Sequence, residues 1–140
     1  MSYTYIGSEL TWPIYWHATL GKAKEDLDRA ARAITRRLTA LSGEARIVVL
    51  KAVVSQASAA IPVVPLYAAL LFRVMKDRHV HEEIIEHIDR LFRSRIYAGE
   101  KPHLDEVGRI RMDDWELAEA IQQEVKQRWD RVTTENLPDL

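Results

Sequence analysis

Apolar residues recur at three- and four-residue steps through most of this chain, a spacing that predicts helices. From Lys22 to Leu41 the positions Leu27, Ala30, Ile34, Leu38 and Leu41 make one stripe, with Arg29, Arg32, Arg36 and Arg37 on the wet side. Gly21 breaks the pattern before this helix, and Ser42-Gly43 closes it, glycine being common just past a helix end. The period then changes. Ala45-Arg46-Ile47-Val48-Val49-Leu50 is a short β-branched run after a turn and reads as a buried strand. Between Pro62 and Met75 nearly every residue is apolar, which predicts a helix buried on several sides. His81 to Ile96 is amphipathic through Ile84, Ile85, Ile88, Leu91, Phe92 and Ile96 and should lie against that helix. A loop over 99–108 leads to a short extended piece at Ile110-Arg111-Met112. Asp113 or Asp114 then caps a last helix striped by Trp115, Ala118, Ile121, Val125, Trp129 and Val132.

Helix, tight turn and strand in that order belong to an α/β unit rather than a helical bundle. The expected architecture is mostly helical, with one or two short strands, in a single segment over 1–140. At 140 residues, with 47% hydrophobic and 29% charged, the chain has the make-up of one soluble globular domain. Its formal net charge of −1 excludes the sustained positive field that nucleic acid or anionic lipid would require. Charge is uneven, however: 22–51 holds eight Lys or Arg against four acids and 99–140 six against eleven, so the two ends should attract. The absence of cysteine removes disulfides and thiolate chemistry and suits a cytoplasmic location. Met1 to Tyr5 lacks the basic and apolar blocks of a signal peptide, and no segment reaches the ~20 apolar residues of a membrane span.

Candidate chemistry centres on Tyr15 and Lys24, which have eight residues between them. An ammonium close to a phenol favours the phenolate and makes the phenol a better acid, so together they can stabilise and protonate an enolate. The spacing alone is common. Its context is more specific, because an aromatic loop followed by a helix start can fold the tyrosine back over the lysine. His17 lies close enough in sequence to assist a proton relay, although an ordinary loop histidine explains it as well. His81 and His87 are six apart, which is not the zincin spacing, and both read as surface residues; no metal site is expected. In Val53-Val54-Ser55-Gln56-Ala57-Ser58-Ala59-Ala60 the small side chains would let a ligand approach the backbone. The glycines Gly7, Gly21, Gly43, Gly99 and Gly108 stand isolated, so the chain contains no dinucleotide-binding glycine turn.

The blocks Tyr3 to Trp16, Thr19 to Arg29, Gln56 to Tyr67, Val74-Met75-Lys76, Leu104 to Leu117 and Val132 to Leu137 run in register with one family. The chain closely resembles the NADH-dependent trans-2-enoyl-CoA reductases, also described as a class of enoyl-acyl-carrier-protein reductase. The resemblance implies a partial Rossmann-type fold like that of the short-chain dehydrogenases. It implies reduction of the trans-2 double bond of an enoyl thioester by NADH, in fatty acid synthesis. Tyr15 would be the proton donor, and Lys24 would hold the cofactor ribose and depress the tyrosine pKa. Tyr5, ten residues before Tyr15, would contact substrate, and Val53, Val54 and Ser55 would face the nicotinamide. Ala18-Thr19-Leu20-Gly21 stands where the family has Gly-Thr-Ile-Gly, and Ser55 where it commonly has Thr; Ala18 is expected to strain a turn that wants positive φ. By the same comparison this is the C-terminal catalytic portion, without the N-terminal nucleotide-binding half and without an extension beyond Leu137. Two functions follow: a catalytic segment that needs the missing half as partner, or an inactive remnant that serves as a helical self-associating or interaction module.

Overall fold

The computed structural model describes residues 1–137. Three short strands, β1 (Ser2–Thr4), β2 (Ile47–Val49) and β3 (Arg109–Arg111), form one parallel sheet in the order β1-β2-β3. Ser2 pairs with Ile47 and Thr4 with Val49 on one side; Ile47 pairs with Arg109 and Val49 with Arg111 on the other. Only the central strand is apolar at every position, and Val48 and Val49 are completely buried, as a strand covered on both faces requires.

Among the described residues there are six helices: α1 (Trp12–Tyr15), α2 (Thr19–Leu38), α3 (Gln56–Ala59), α4 (Val64–Asp77), α5 (Ile84–Leu91) and α6 (Glu119–Trp129). A 3-10 turn over Thr39–Leu41 ends α2, and a π-helical turn over Phe92–Ile96 extends α5. The largest apolar cluster joins α4 to α6 through Tyr67, Leu71, Val74 and Met75 against Ile121 and Val125. A second packs Leu91 of α5 on Val48, Ile110 and Met112 of the sheet region. Thus α4 is buried on several sides, as its composition predicts. No helix among the described residues is long and apolar enough to cross a membrane.

Several local expectations change. The sheet has a third strand, β1, in the aromatic opening. Gly21 does not break α2 but sits inside its first turn, because a Cβ there would lie 1.9 Å from the Trp16 carbonyl oxygen. The left-handed residue that closes the helix is Ser42 (φ 52), with the Gly43 amide donating to the Leu38 carbonyl. Ala18 has φ −105 and so carries no left-handed strain. The last helix begins at Glu119, leaving Trp115 in the preceding turn, stacked 4.0 Å from the Arg90 guanidinium. Asp113 is buried and pairs with Arg111 at 2.6 Å instead of capping a helix. His87, read as a surface residue, is fully buried, with Nδ1 2.5 Å from Glu82 and Nε2 accepting the Lys51 amide at 3.3 Å.

Candidate active site

In an open parallel sheet the carboxyl ends of the strands carry the ligand crevice, because the loops leaving them diverge there. In this chain β1 runs out into Tyr5 and β2 into Leu50 to Ser55. A cleft of about 310 Å³ opens between these segments, lined by Tyr5, Tyr15, Ala52, Val53 and Ser55, with Val64 and Ala68 of α4 behind. Residues that are distant in sequence and were singled out for their chemistry therefore line one cleft. Val54 is exposed and is not part of the lining.

The approach of Tyr15 is built by a tight chain path. Gly7 at φ +78 turns the backbone after β1 where a Cβ would collide with Thr11 Oγ1 at 2.1 Å. Trp12 Nε1 donates back to the Gly7 carbonyl at 3.1 Å, and the single turn of α1 follows, ending on Tyr15. The Tyr5 and Tyr15 rings then meet edge to face, with centroids 4.9 Å apart at 88°. Because α2 starts against the Trp16 carbonyl at Gly21, Lys24 comes round within reach of Tyr15. Its Nζ stands 5.5 Å from the Tyr15 ring centroid and donates to Thr4 Oγ1 at 3.1 Å.

The electrostatics of this pair differ from expectation. Burial pushes the Tyr15 phenol above its ordinary value and the Lys24 ammonium below its own. The lysine therefore does not depress the tyrosine in this arrangement; it faces the ring rather than the hydroxyl, and loss of water dominates. At neutral pH the phenol keeps its proton. His17 is exposed and packs edge-on to Trp12 at 6.3 Å, so it is not brought to Tyr15.

Ser55 has a structural task as well as a place in the cleft. It caps α3, accepting the Ser58 amide at 3.2 Å on Oγ while its own amide donates to Ser58 Oγ at 2.7 Å. This fixes the exit of the Val53-Val54-Ser55 loop. The entry of that loop is held by a residue without any periodic signal in the sequence. Glu116, completely buried, accepts the Ala52 amide on Oε2 at 2.5 Å, and the Tyr5 and Tyr67 hydroxyls on Oε1, each at 2.8 Å. Burial pushes this carboxyl up to about 7, although the three hydrogen bonds act to lower it. Tyr5 is driven upward by burial and by the neighbouring Glu116 charge. No group of three or more acidic or histidine side chains suited to a metal ion occurs among the described residues.

Residues 1–97 match the family model described as the trans-2-enoyl-CoA reductase catalytic region, and residues 104–140 match one described as the enoyl reductase FAD binding domain. Over all 140 residues the chain is 56% identical to the enoyl-[acyl-carrier-protein] reductase [NADH] FabV of Aeromonas salmonicida, and it covers 35% of that protein. It is 56% identical, with the same coverage, to the enoyl-[acyl-carrier-protein] reductase [NADH] of Tolumonas auensis. Among solved structures, trans-2-enoyl-CoA reductase of Clostridium acetobutulicum in complex with NADH superimposes with a TM-score of 0.94 at 46% identity, over 99% of this chain and 35% of that one. The Treponema denticola enzyme in complex with NAD gives 0.90 at 45% identity, over 96% and 33%. The chain thus spans about a third of the length of the relatives it matches. A cleft at the ends of β1 and β2 that includes Tyr15, and a catalytic-region match over 97 of 140 residues, agree: the chain belongs to the trans-2-enoyl-CoA reductase family.

Proposed function

We propose that this chain carries the catalytic segment of an NADH-dependent reductase of trans-2-enoyl thioesters, acting in fatty acid synthesis on acyl groups bound to coenzyme A or acyl carrier protein. The observation that carries this reading is the convergence of Tyr5, Tyr15 and the loop from Ala52 to Ser55 on one cleft, with the Lys24 ammonium 5.5 Å from the Tyr15 ring. The donors fit the nicotinamide and ribose end of the cofactor: a cleft at strand carboxyl ends, a phenol whose hydroxyl makes no hydrogen bond among the described residues, and a half-buried ammonium held by one neutral hydroxyl.

When bound, NADH would supply a hydride to the β-carbon of the thioester. The resulting enolate oxygen would accept a hydrogen bond and then the proton of Tyr15, which is protonated at neutral pH, and the enol so formed would tautomerise, taking a proton at the α-carbon, to the saturated thioester. Lys24 would bind the ribose through the N–H donors that Thr4 leaves free. Tyr5 contacts the substrate from the edge of the Tyr15 ring, and Val53 with Ser55 forms the face towards the nicotinamide, with Val54 at its outer side. A cleft of about 310 Å³ is at the lower end of the ~300–1,000 Å³ typical of ligand sites, too small for a whole dinucleotide. The adenosine and pyrophosphate are therefore assigned to a nucleotide-binding portion outside these residues, in a cytoplasmic enzyme.

A flavin does not fit residues 104–137. Asp113 is paired with Arg111 and Asp105 with Arg109. Gln122 is bonded to the Glu116 carbonyl and Tyr67, and Lys126 pairs with Asp130 at 3.1 Å. A second reading, an inactive self-associating module, draws on the apolar stripe of α2, where Ile34 is 48% and Leu41, in the turn after it, 78% exposed. Fluorescence titration with NADH of the chain completed with a nucleotide-binding portion, compared with its Lys24→Met variant, separates the two. Saturable micromolar binding supports the reductase; no binding at millimolar cofactor supports the module.

A further inference from the structure

The most unusual group outside the Tyr15–Lys24 pair is the Glu116 carboxylate. It lies in the turn between β3 and α6, has no exposed surface, and is engaged by donors from three separate parts of the chain. These are Tyr5 after β1, Ala52 after β2 and Tyr67 of α4. Gln122 closes the network, donating to the Tyr67 hydroxyl at 3.1 Å and to the Glu116 carbonyl at 2.7 Å. Burying a carboxylate without a cation in hydrogen-bond contact is unfavourable, and an apolar side chain would fill the space more cheaply. What a carboxylate alone supplies is acceptor capacity at both oxygens. A glutamine would set an NH₂ against either the phenols or the Ala52 amide.

We propose that Glu116 is a positioning residue for the reduction: one oxygen holds the Tyr5 phenol, and through it the Tyr15 ring, while the other holds the start of the Ala52-to-Ser55 loop. The two walls of the cleft are thereby set at a fixed separation by one side chain. This rests on the reductase reading given above. Because Tyr5 donates its only hydroxyl proton inward to the carboxylate, it meets the cleft as an acceptor. When Glu116 is protonated, one of its oxygens carries an O–H and no longer accepts from every donor, so the hold loosens as it would with glutamine. The titratable and charged groups facing Glu116 are Tyr5, Tyr67, Asp113 on its own segment and Lys51 at the end of β2.

The test is a double-mutant cycle on the affinity for crotonyl-CoA, measured by calorimetry in the presence of NADH on wild type, Glu116→Gln, Tyr5→Phe and the double variant. Glu116→Gln should weaken crotonyl-CoA binding at least tenfold, but no more than threefold on the Tyr5→Phe background. The wild-type affinity should fall as pH falls through about 7, the value to which Glu116 is pushed, and this dependence should vanish in Glu116→Gln. If the glutamine variant does not fold, Glu116→Asp carries the same cycle, since one methylene less forfeits either the phenol or the amide. Equal losses on both backgrounds, or a wild-type affinity in Glu116→Gln, would overturn the positioning role while leaving the reductase reading intact. No binding of crotonyl-CoA or NADH to wild type would instead overturn the reductase reading itself.

Discussion

The Lys24 ammonium lies 5.5 Å from the centre of the Tyr15 ring and is held there by the Thr4 hydroxyl at 3.1 Å. Its hydrogen-bond partner is neutral, so of three N–H donors only one is directed at the protein and the others remain for a ligand. The proposed roles then separate by experiment. Lys24→Met should weaken NADH binding about tenfold or more, the order of one lost charge-assisted hydrogen bond. Tyr15→Phe should change it no more than about twofold, because the phenol acts on the acyl oxygen. Fluorescence titration of both variants checks this, and equal losses would contradict the division of labour.

Alanine normally stabilises a helix relative to glycine by ~1 kcal/mol. At Gly21 the sign should invert. The added Cβ would meet the Trp16 carbonyl oxygen at 1.9 Å and its carbonyl carbon at 2.6 Å, both backbone atoms that cannot swing away. Overpacking of this kind costs ~1–3 kcal/mol. Gly21→Ala should therefore lower stability by that amount in urea denaturation and displace the segment that carries Tyr15. A stabilised variant would show that the start of α2 does not approach Trp16 this closely.

Stability should also carry the signature of Glu116. Burial raises its pKa from 4.5 to about 7 in the folded chain, so between those values the folded state retains a proton that the unfolded state has lost. The stabilisation from that proton is complete below the unfolded value and is lost as pH rises through the folded one, in total ~3 kcal/mol at 1.36 kcal/mol per pH unit. Buried His87 acts in the opposite direction. Its pKa is lowered, first by burial, so stability is present above its ordinary value of 6.5 and lost as pH falls below it. Comparing wild type with Glu116→Gln cancels the histidine. The difference in unfolding free energy should change by ~3 kcal/mol against wild type between about pH 5 and pH 8. A difference that stays flat with pH would mean that Glu116 is charged throughout.

The long helices were legible in the sequence because a three- and four-residue apolar step is a local signal, although Ile34 and Leu41 of the α2 stripe stay exposed. The arginines of α2 point outward, and the nearly unbroken apolar run of α4 is buried. What escaped depends on partners far along the chain. Ser2-Tyr3-Thr4 is too short to read as a strand alone and becomes one by pairing with Ile47–Val49. Gly21 looks like a helix breaker until the Trp16 carbonyl is placed against it. His87 is buried by Glu82, which Arg90 also engages at 2.7 Å. Tyr5, Tyr15 and the loop at Ser55 could be connected only through family resemblance, since no local spacing joins them. Glu116 had no signal at all: it is one acid in Asp113-Asp114-Trp115-Glu116, distinguished only by the three donors the fold brings to it.

The central claim is that Tyr15 delivers the proton. Its direct test is NADH-dependent reduction of crotonyl-CoA by the chain completed with a nucleotide-binding portion, followed by loss of NADH absorbance. Tyr15→Phe should lower kcat by at least ~100-fold, the usual contribution of a positioned acid, with NADH affinity preserved. Full turnover in the phenylalanine variant would remove Tyr15 from the chemistry.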